Sequence, residues 1–236
     1  PYAAAYKAGW NLAEEFVNMF IGHGGEFFKA GTAEPNINNA KGVATLNMLK
    51  KLASLSNPDY LTHDSEAIKV EWESGKVALM TLWASRSGTL LDDEGDAKIT
   101  AATKLTGPAT VGGGNIPAAT LWWDGFTLAK NRSDSDAEAS FIALAHAASN
   151  KKMVSDAADQ AVWLVEGFVP GPKSIGVIEA VKMGAKPYPM LPQMGLMHGA
   201  LGSEIVEFLQ GKESAEQALK DVEAAYISKA KEQGFL

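Results

Sequence analysis

The chain has 236 residues, 46% of them hydrophobic and 21% charged, which is ordinary for a soluble globular protein and enough for one large domain or two small lobes. Its net charge of −7 removes the basic footprint that nucleic-acid phosphates or anionic lipids require, and no apolar run reaches the roughly 18 residues that span a bilayer. Cysteine is absent, so disulfides and thiol chemistry are excluded.

The chain opens at Pro1 without a signal-like segment, which predicts a removed leader or a fragment. Trp10, Ala13, Phe16, Val17 and Phe20 recur at helical spacing, predicting an amphipathic helix over Tyr6–Phe20 that stops at Gly22-His23-Gly24-Gly25. Asn38 is the expected cap of a helix from Asn39 to about Ser54, with Val43, Leu46, Leu49, Leu52 and Ala53 in one stripe. Asp64 opens a short helix through Trp72; a Gly75-Lys76 turn then feeds an apolar segment, Val77–Leu82, expected as a buried strand. Ser87–Leu91 reads as helix, Asp92-Asp93-Glu94-Gly95-Asp96 as an acidic loop and Ile99–Leu105 as a strand. A Gly- and Pro-rich stretch over Thr106–Pro117 leads to a strand-like Thr120–Ala129. Ser135-Asp136-Ala137-Glu138 is a helix start, with the helix running to about Ser149 and Phe141, Leu144, Ala145 and Ala148 turned inward. Helices are further expected at Met153–Gln160, Val177–Met183, Leu196–Leu209 and, capped by Ser214, through Lys231, with a Pro-rich connector at Pro187–Pro192. This alternation points to an α/β architecture.

Trp72-x-x-Gly75-Lys76-Val77-Ala78-Leu79-Met80 resembles the aromatic, Gly-Lys, small-Ala-x-Met signature of bacterial extracellular solute-binding proteins (family 1, maltose-binding-protein-like), which serve sugar ABC importers. His23-Gly24-Gly25-Glu26-Phe27, the helix at Asp136–Ile142, Gly167-Phe168-Val169-Pro170 and Gly211-Lys212-Glu213-Ser214 through Leu219 are similar to further segments of that family, in the same order. The resemblance implies a type II periplasmic-binding-protein fold, two lobes joined by a hinge, with the first part of the N-terminal lobe lacking here. It places residues 1–120 in the second lobe, 121–176 in a segment returning to the first, and 177–236 in C-terminal helices packed back on the second. It further implies a periplasmic or lipoprotein-anchored extracellular protein, monomeric when complete, that captures a carbohydrate or polyol in the cleft, delivers it to permease subunits and needs no cofactor.

Trp83, Ser85 and Arg86 follow the Val77–Leu82 segment, at the edge where open α/β sheets place ligands, and Arg86 favours a ligand with an anionic group. Trp122-Trp123-Asp124 is the second candidate: in an alternating strand only one of the two tryptophans faces the cleft, and Asp124 beside Gly125 suits hydroxyl recognition. His198 and Tyr2 fall where the resemblance implies ligand contacts, and Trp10 follows Gly9 at a helix start. Trp72 and Trp163 read as core.

The competing reading is a carbohydrate-active, glycosidase-like enzyme, which needs two carboxylates set across a cleft. The clustered Asp92, Asp93, Glu94 and Asp96 suit mutual solvation better. There is no Gly-x-Ser-x-Gly elbow, and the four histidines lack metal-ligand spacing. Gly112-Gly113-Gly114 lacks the Lys-Ser/Thr of a phosphate loop.

Overall fold

The computed structural model describes residues 1–92, 95–160, 162–163 and 165–236. Asp93 and Glu94 of the acidic loop lie outside the described residues. The elements are β1 (Tyr2–Ala3), α1 (Trp10–Gly22), α2 (Ala40–Ala53), α3 (Ser65–Glu73), β2 (Leu79–Met80), α4 (Ala84–Ser87), α5 (Ala97–Ala102), β3 (Thr120–Leu121), α6 (Asp134–Ser149), α7 (Lys151–Asp156), α8 (Ile175–Lys182), β4 (Lys186–Pro187), α9 (Met194–Leu209) and α10 (Ala215–Glu232). Short 3-10 turns occupy Tyr60–Thr62, Gly88–Leu91 and Pro172–Ser174.

Side chains set the helix starts. The Asn39 side chain accepts the backbone N–H groups of Lys41 and Gly42 at the head of α2. Asp64 accepts from Ala67, Ser133 from Asp136 and Ser214 from Gln217 at the heads of α3, α6 and α10. Each supplies an acceptor to a first-turn N–H that has none within the helix. α1, α2, α9 and α10 then bury their apolar stripes against one another. Phe16, Phe20, Leu46, Leu49, Met197, Leu201, Ile205, Val222 and Tyr226 are fully buried in this core. A smaller cluster of Ala3, Ala5 and Ile68 takes in Val77, Met80 and Leu82.

The strands form two parallel pairs, Tyr2 and Ala3 opposite Leu79 and Met80, and Thr120 and Leu121 opposite Lys186 and Pro187. In both pairs the partners come from distant parts of the chain and are joined through helices, as in α/β proteins.

Several expectations need correction. α1 starts at Trp10, because Gly9 holds a φ of 96° that ends any continuous helix from Tyr6, although Tyr6 itself is fully buried. Asn39, not Asn38, is the cap of α2. The Val77–Leu82 segment pairs only at Leu79–Met80, and Leu79 is exposed. Ile99–Leu105 is not a strand: the Asp96 side chain accepts the Lys98 N–H and starts α5. Thr120–Ala129 is a strand at its first two residues only, since no neighbour pairs with the remainder. α6 forms over nearly the expected span but buries none of its residues, and Phe141 is 65% exposed.

Candidate functional site

Trp10 is placed by two glycines. The Gly9 N–H donates to the Gly202 carbonyl of α9 at 2.9 Å, and a Cβ on Gly202 would come 2.4 Å from the Gly9 oxygen. Backbones therefore meet where α1 begins, and the Trp10 ring lies over His198 with centroids 4.9 Å apart. Trp83, between β2 and α4, packs 5.3 Å from Trp10 at 34°. Trp122 directly follows β3 and Tyr188 directly follows β4, so a parallel register brings both to the same end of one strand pair; their rings are 4.3 Å apart. Trp122 also stands 5.7 Å from Trp10 and 6.0 Å from Trp83.

Five rings thus converge from five places in the chain: Trp10, Trp83, Trp122, Tyr188 and His198. A depression of about 210 Å³ opens beside three of them, lined by Trp10, Tyr188 and His198 with Gly9, Gly195 and Gly199. Trp10 is 50% and Trp122 40% exposed, so large aromatic surface is open to solvent. Glycines on both sides leave room for a ligand to approach backbone. A concave, largely aromatic surface with a few fixed polar groups is the form small-molecule sites take.

The polar groups are tied in sequence. The Trp10 carbonyl can only accept, so His198 Nε2 carries a hydrogen and donates to it at 3.0 Å; Nδ1 then accepts the Tyr188 hydroxyl at 2.9 Å. Burial holds His198 below its ordinary pKa, against the bond to Trp10. Burial and the nearby Glu14 carboxyl raise the Tyr188 hydroxyl. Glu14, on α1, accepts the Trp122 indole N–H at 3.3 Å through Oε1, which also lies 2.7 Å from the Thr120 hydroxyl. Glu14 is 2% exposed, and burial pushes its pKa up to about 7 against those hydrogen bonds. Burial, with Glu14 beside it, pushes Glu15 up to about 8.

The other sequence candidates fall elsewhere. Trp123 is 71% exposed and is not among the stacked rings, and Asp124 is exposed next to it. Tyr2 lies in β1, where its hydroxyl bonds that of Thr81 at 2.8 Å. Ser85 and Arg86 are exposed on α4, where the Arg86 guanidinium is paired with Glu66 and borders a second depression of about 140 Å³ with Ser65 and Thr89. Trp72 and Trp163 are half-buried, donating to the Thr103 hydroxyl and the Ala157 carbonyl. Sequence reasoning missed Tyr188 and Glu14. An aromatic residue between Pro187 and Pro189 was a usable signal for the first. For Glu14 the only signal was the i, i+4 stripe Trp10-Glu14-Asn18, which reads as a solvent face.

Among the described residues no group of three or more His, Asp or Glu side chains gathers to hold a metal, and no helix is long and apolar enough to cross a membrane. No protein-family model matches the sequence, and no curated protein matches it. Solved structures do. An ABC transporter solute-binding protein from Agrobacterium radiobacter K84 in complex with ribitol superposes with a TM-score of 0.76 at 18% identity, covering 94% of this chain and 58% of that one. Maltose-bound MalE3 of T. maritima gives 0.73 at 15% identity, with 95% and 59% covered. The MalE maltose/maltodextrin-binding domain of Bdellovibrio bacteriovorus bound to maltotriose gives 0.70 at 16%, with 96% and 61% covered. The chain therefore spans about three-fifths of the length of these proteins, and over nearly all of its own length it has the type II fold of ABC-transporter solute-binding proteins.

Proposed function

We propose that the chain supplies one wall of a cleft that captures a neutral carbohydrate or polyol for an ABC importer, without chemical conversion. The observation that carries this reading is the convergence of Trp10, Trp83, Trp122, Tyr188 and His198, three of which line an open depression, on a fold whose solved relatives hold ribitol, maltose and maltotriose. Aromatic faces suit the C–H surfaces of a sugar or a polyol chain. Hydroxyls would bond to the fixed polar edges at roughly 0.5–1.5 kcal/mol each. Arg86, the reason to expect an anionic ligand, is committed to Glu66, and the ring group holds no cationic side chain. The acid at the ring group, Glu14, is buried and bonded to Thr120 and Trp122 rather than set across a cleft from a second carboxyl, which speaks against glycosidase chemistry.

Residues 1–120 and 177–236 form the second lobe on this reading, and 121–176 belong to the first. The bare faces of Phe126, Phe141, Ile142 and Val169, all between 59% and 76% exposed, support that division, since apolar surface of this extent marks a packing site. Capture works by hinge closure over the ligand, and the closed form, a periplasmic monomer, is what the membrane permease subunits engage. A micromolar site is worth about −8 kcal/mol and half of it about −4, so this chain by itself should bind in the millimolar range. Calorimetry against ribitol, maltose, maltotriose and galacturonate, with the sugars followed by NMR, tests the reading. Weak binding of neutral ligands, unchanged in solution and lost in Trp10→Ala, is expected. Conversion of any sugar, or preference for galacturonate, would overturn it.

A further inference from the structure

Glu14 is the least explained residue near the ring group. Its Oε2 is buried without a hydrogen-bond partner. Its Oε1 belongs to a tight polar knot with the Thr120 hydroxyl at 2.7 Å and the Trp122 indole N–H at 3.3 Å, while Thr120 also lies 2.9 Å from Asn18 Oδ1 and 3.0 Å from the same indole. The hydrogens in this knot can be counted. Thr120 has one hydroxyl hydrogen but faces two acceptor oxygens, those of Glu14 and Asn18, and its own lone pairs accept from Trp122.

If Glu14 carries a proton on Oε1, it donates to Thr120, Thr120 donates to Asn18, and every short contact has a donor. If Glu14 is ionised, Thr120 must turn to it, Asn18 must reverse its amide, and Oε2 becomes a charged oxygen buried with no donor. A buried, unpaired carboxylate oxygen is costly, and the cheapest relief is movement of the neighbours that lets water in. The neighbour with room to move is Trp122, already 40% exposed and attached to a strand of only two residues. Other titratable groups face the knot from each packed element: Glu15 on α1, Tyr188 after β4, and His198 of α9 one hydrogen bond beyond Tyr188.

We propose that Glu14 is a positioning residue for the aromatic site: its buried carboxyl fixes Trp122 against α1, and gain or loss of its proton shifts Trp122 within the ring group. The inference rests on the reading that the ring group is the ligand-facing surface. A ligand covering Trp122 dehydrates the knot further and so favours protonated Glu14. Capture then takes up a proton, and affinity declines as pH rises through neutrality.

The test begins on the intact chain without sugar. Tryptophan fluorescence titrated from about pH 5 to 9 should show a step near pH 7, where Glu14 loses its proton. That step should vanish in Glu14→Gln, which keeps shape and hydrogen bonding but cannot ionise, and in Trp122→Phe. NMR of carbon-labelled glutamate in the unsubstituted protein gives a readout independent of any variant's folding. One carboxyl should titrate with the same midpoint as the shift of the Trp122 indole N–H. A step of undiminished size in Glu14→Gln, or a Trp122 resonance indifferent to that carboxyl, would overturn the proposal. Ribitol then serves as the probe, with affinity expected to fall several-fold from pH 6 to 8 in the unsubstituted protein and to stay level in Glu14→Gln. Equal pH dependence of ribitol affinity in the two proteins would overturn the link to capture. Ribitol failing to bind while the fluorescence step persists would count against the capture reading and leave the Glu14–Trp122 coupling standing.

Discussion

At the scale of single residues, buried ionisable groups decide how stability responds to pH. Glu14 and Glu15 have folded-state pKa values raised to about 7 and about 8, above those of an unfolded chain. A raised pKa means that the folded state holds a proton the unfolded state has released, so stability is fullest below the unfolded value and is lost as pH climbs toward the folded one. His198 acts in the opposite sense: its lowered pKa costs stability as pH falls through the ordinary histidine range. Unfolding by urea should therefore show stability declining as pH rises from 4.5 toward 8, with Glu14 accounting for roughly 3 kcal/mol of the change, nearly all of it below about pH 7. Glu14→Gln should remove the Glu14 share of that decline and leave the share of Glu15; an unchanged slope would mean that Glu14 is already ionised in the fold. The sequence made Trp10, Trp83, Trp122 and His198 legible as candidates because tryptophans beside glycines and strand ends are conspicuous. It could not reveal that Tyr188 joins them, since that depends on the register of β4 beside β3, two strands 66 residues apart. Glu14 was hidden for a related reason: a carboxylate on a helix reads as solvated until the strand that covers it is known.

At the scale of elements, the helices with strong local signals formed where expected. α3 and α10 carry Asp64 and Ser214 as caps at the predicted positions. The strands were less legible, because an apolar alternating run becomes a strand only where a partner exists, and β2 and β3 each pair over two residues. The junction of α1 with α9 offers a sharp test. Replacing Gly202 by alanine adds a methyl 2.4 Å from the Gly9 carbonyl, and backbone atoms cannot step aside as a side-chain tip can. Overpacking of this kind costs about 1–3 kcal/mol, partly offset by the better helix propensity of alanine. Gly202→Ala should lower the urea midpoint by the equivalent of about 2 kcal/mol and alter the near-ultraviolet signal of Trp10. A variant as stable as the parent would show that α9 can slide to admit the methyl.

At the scale of the whole molecule, the apolar residues divide unequally. The four-helix core is closed, whereas Phe126, Phe141, Ile142 and Val169 remain bare. Such a surface binds hydrophobic dyes and promotes self-association. Phe141→Ser should reduce dye binding and association at high concentration while changing unfolding free energy by no more than about 0.5 kcal/mol, since the side chain packs on little. A large loss of stability would mean that α6 rests on the rest of the fold more firmly than its exposure indicates.

The same closed core has a consequence for how the protein is made. α1 and α2 lie within the first 53 residues, but the surfaces that cover them belong to α9 and α10, beyond residue 193. The Tyr226 hydroxyl reaches the carbonyl of Ala33, and Glu223 accepts the N–H groups of Ile37 and Asn38. At about 5–20 residues per second, the ribosome needs roughly 9–36 seconds after α2 to complete α10, far longer than helix formation takes. Over that interval the apolar stripes of α1 and α2 are open to non-native contacts, and a product terminated ahead of α10 leaves much of this core uncovered.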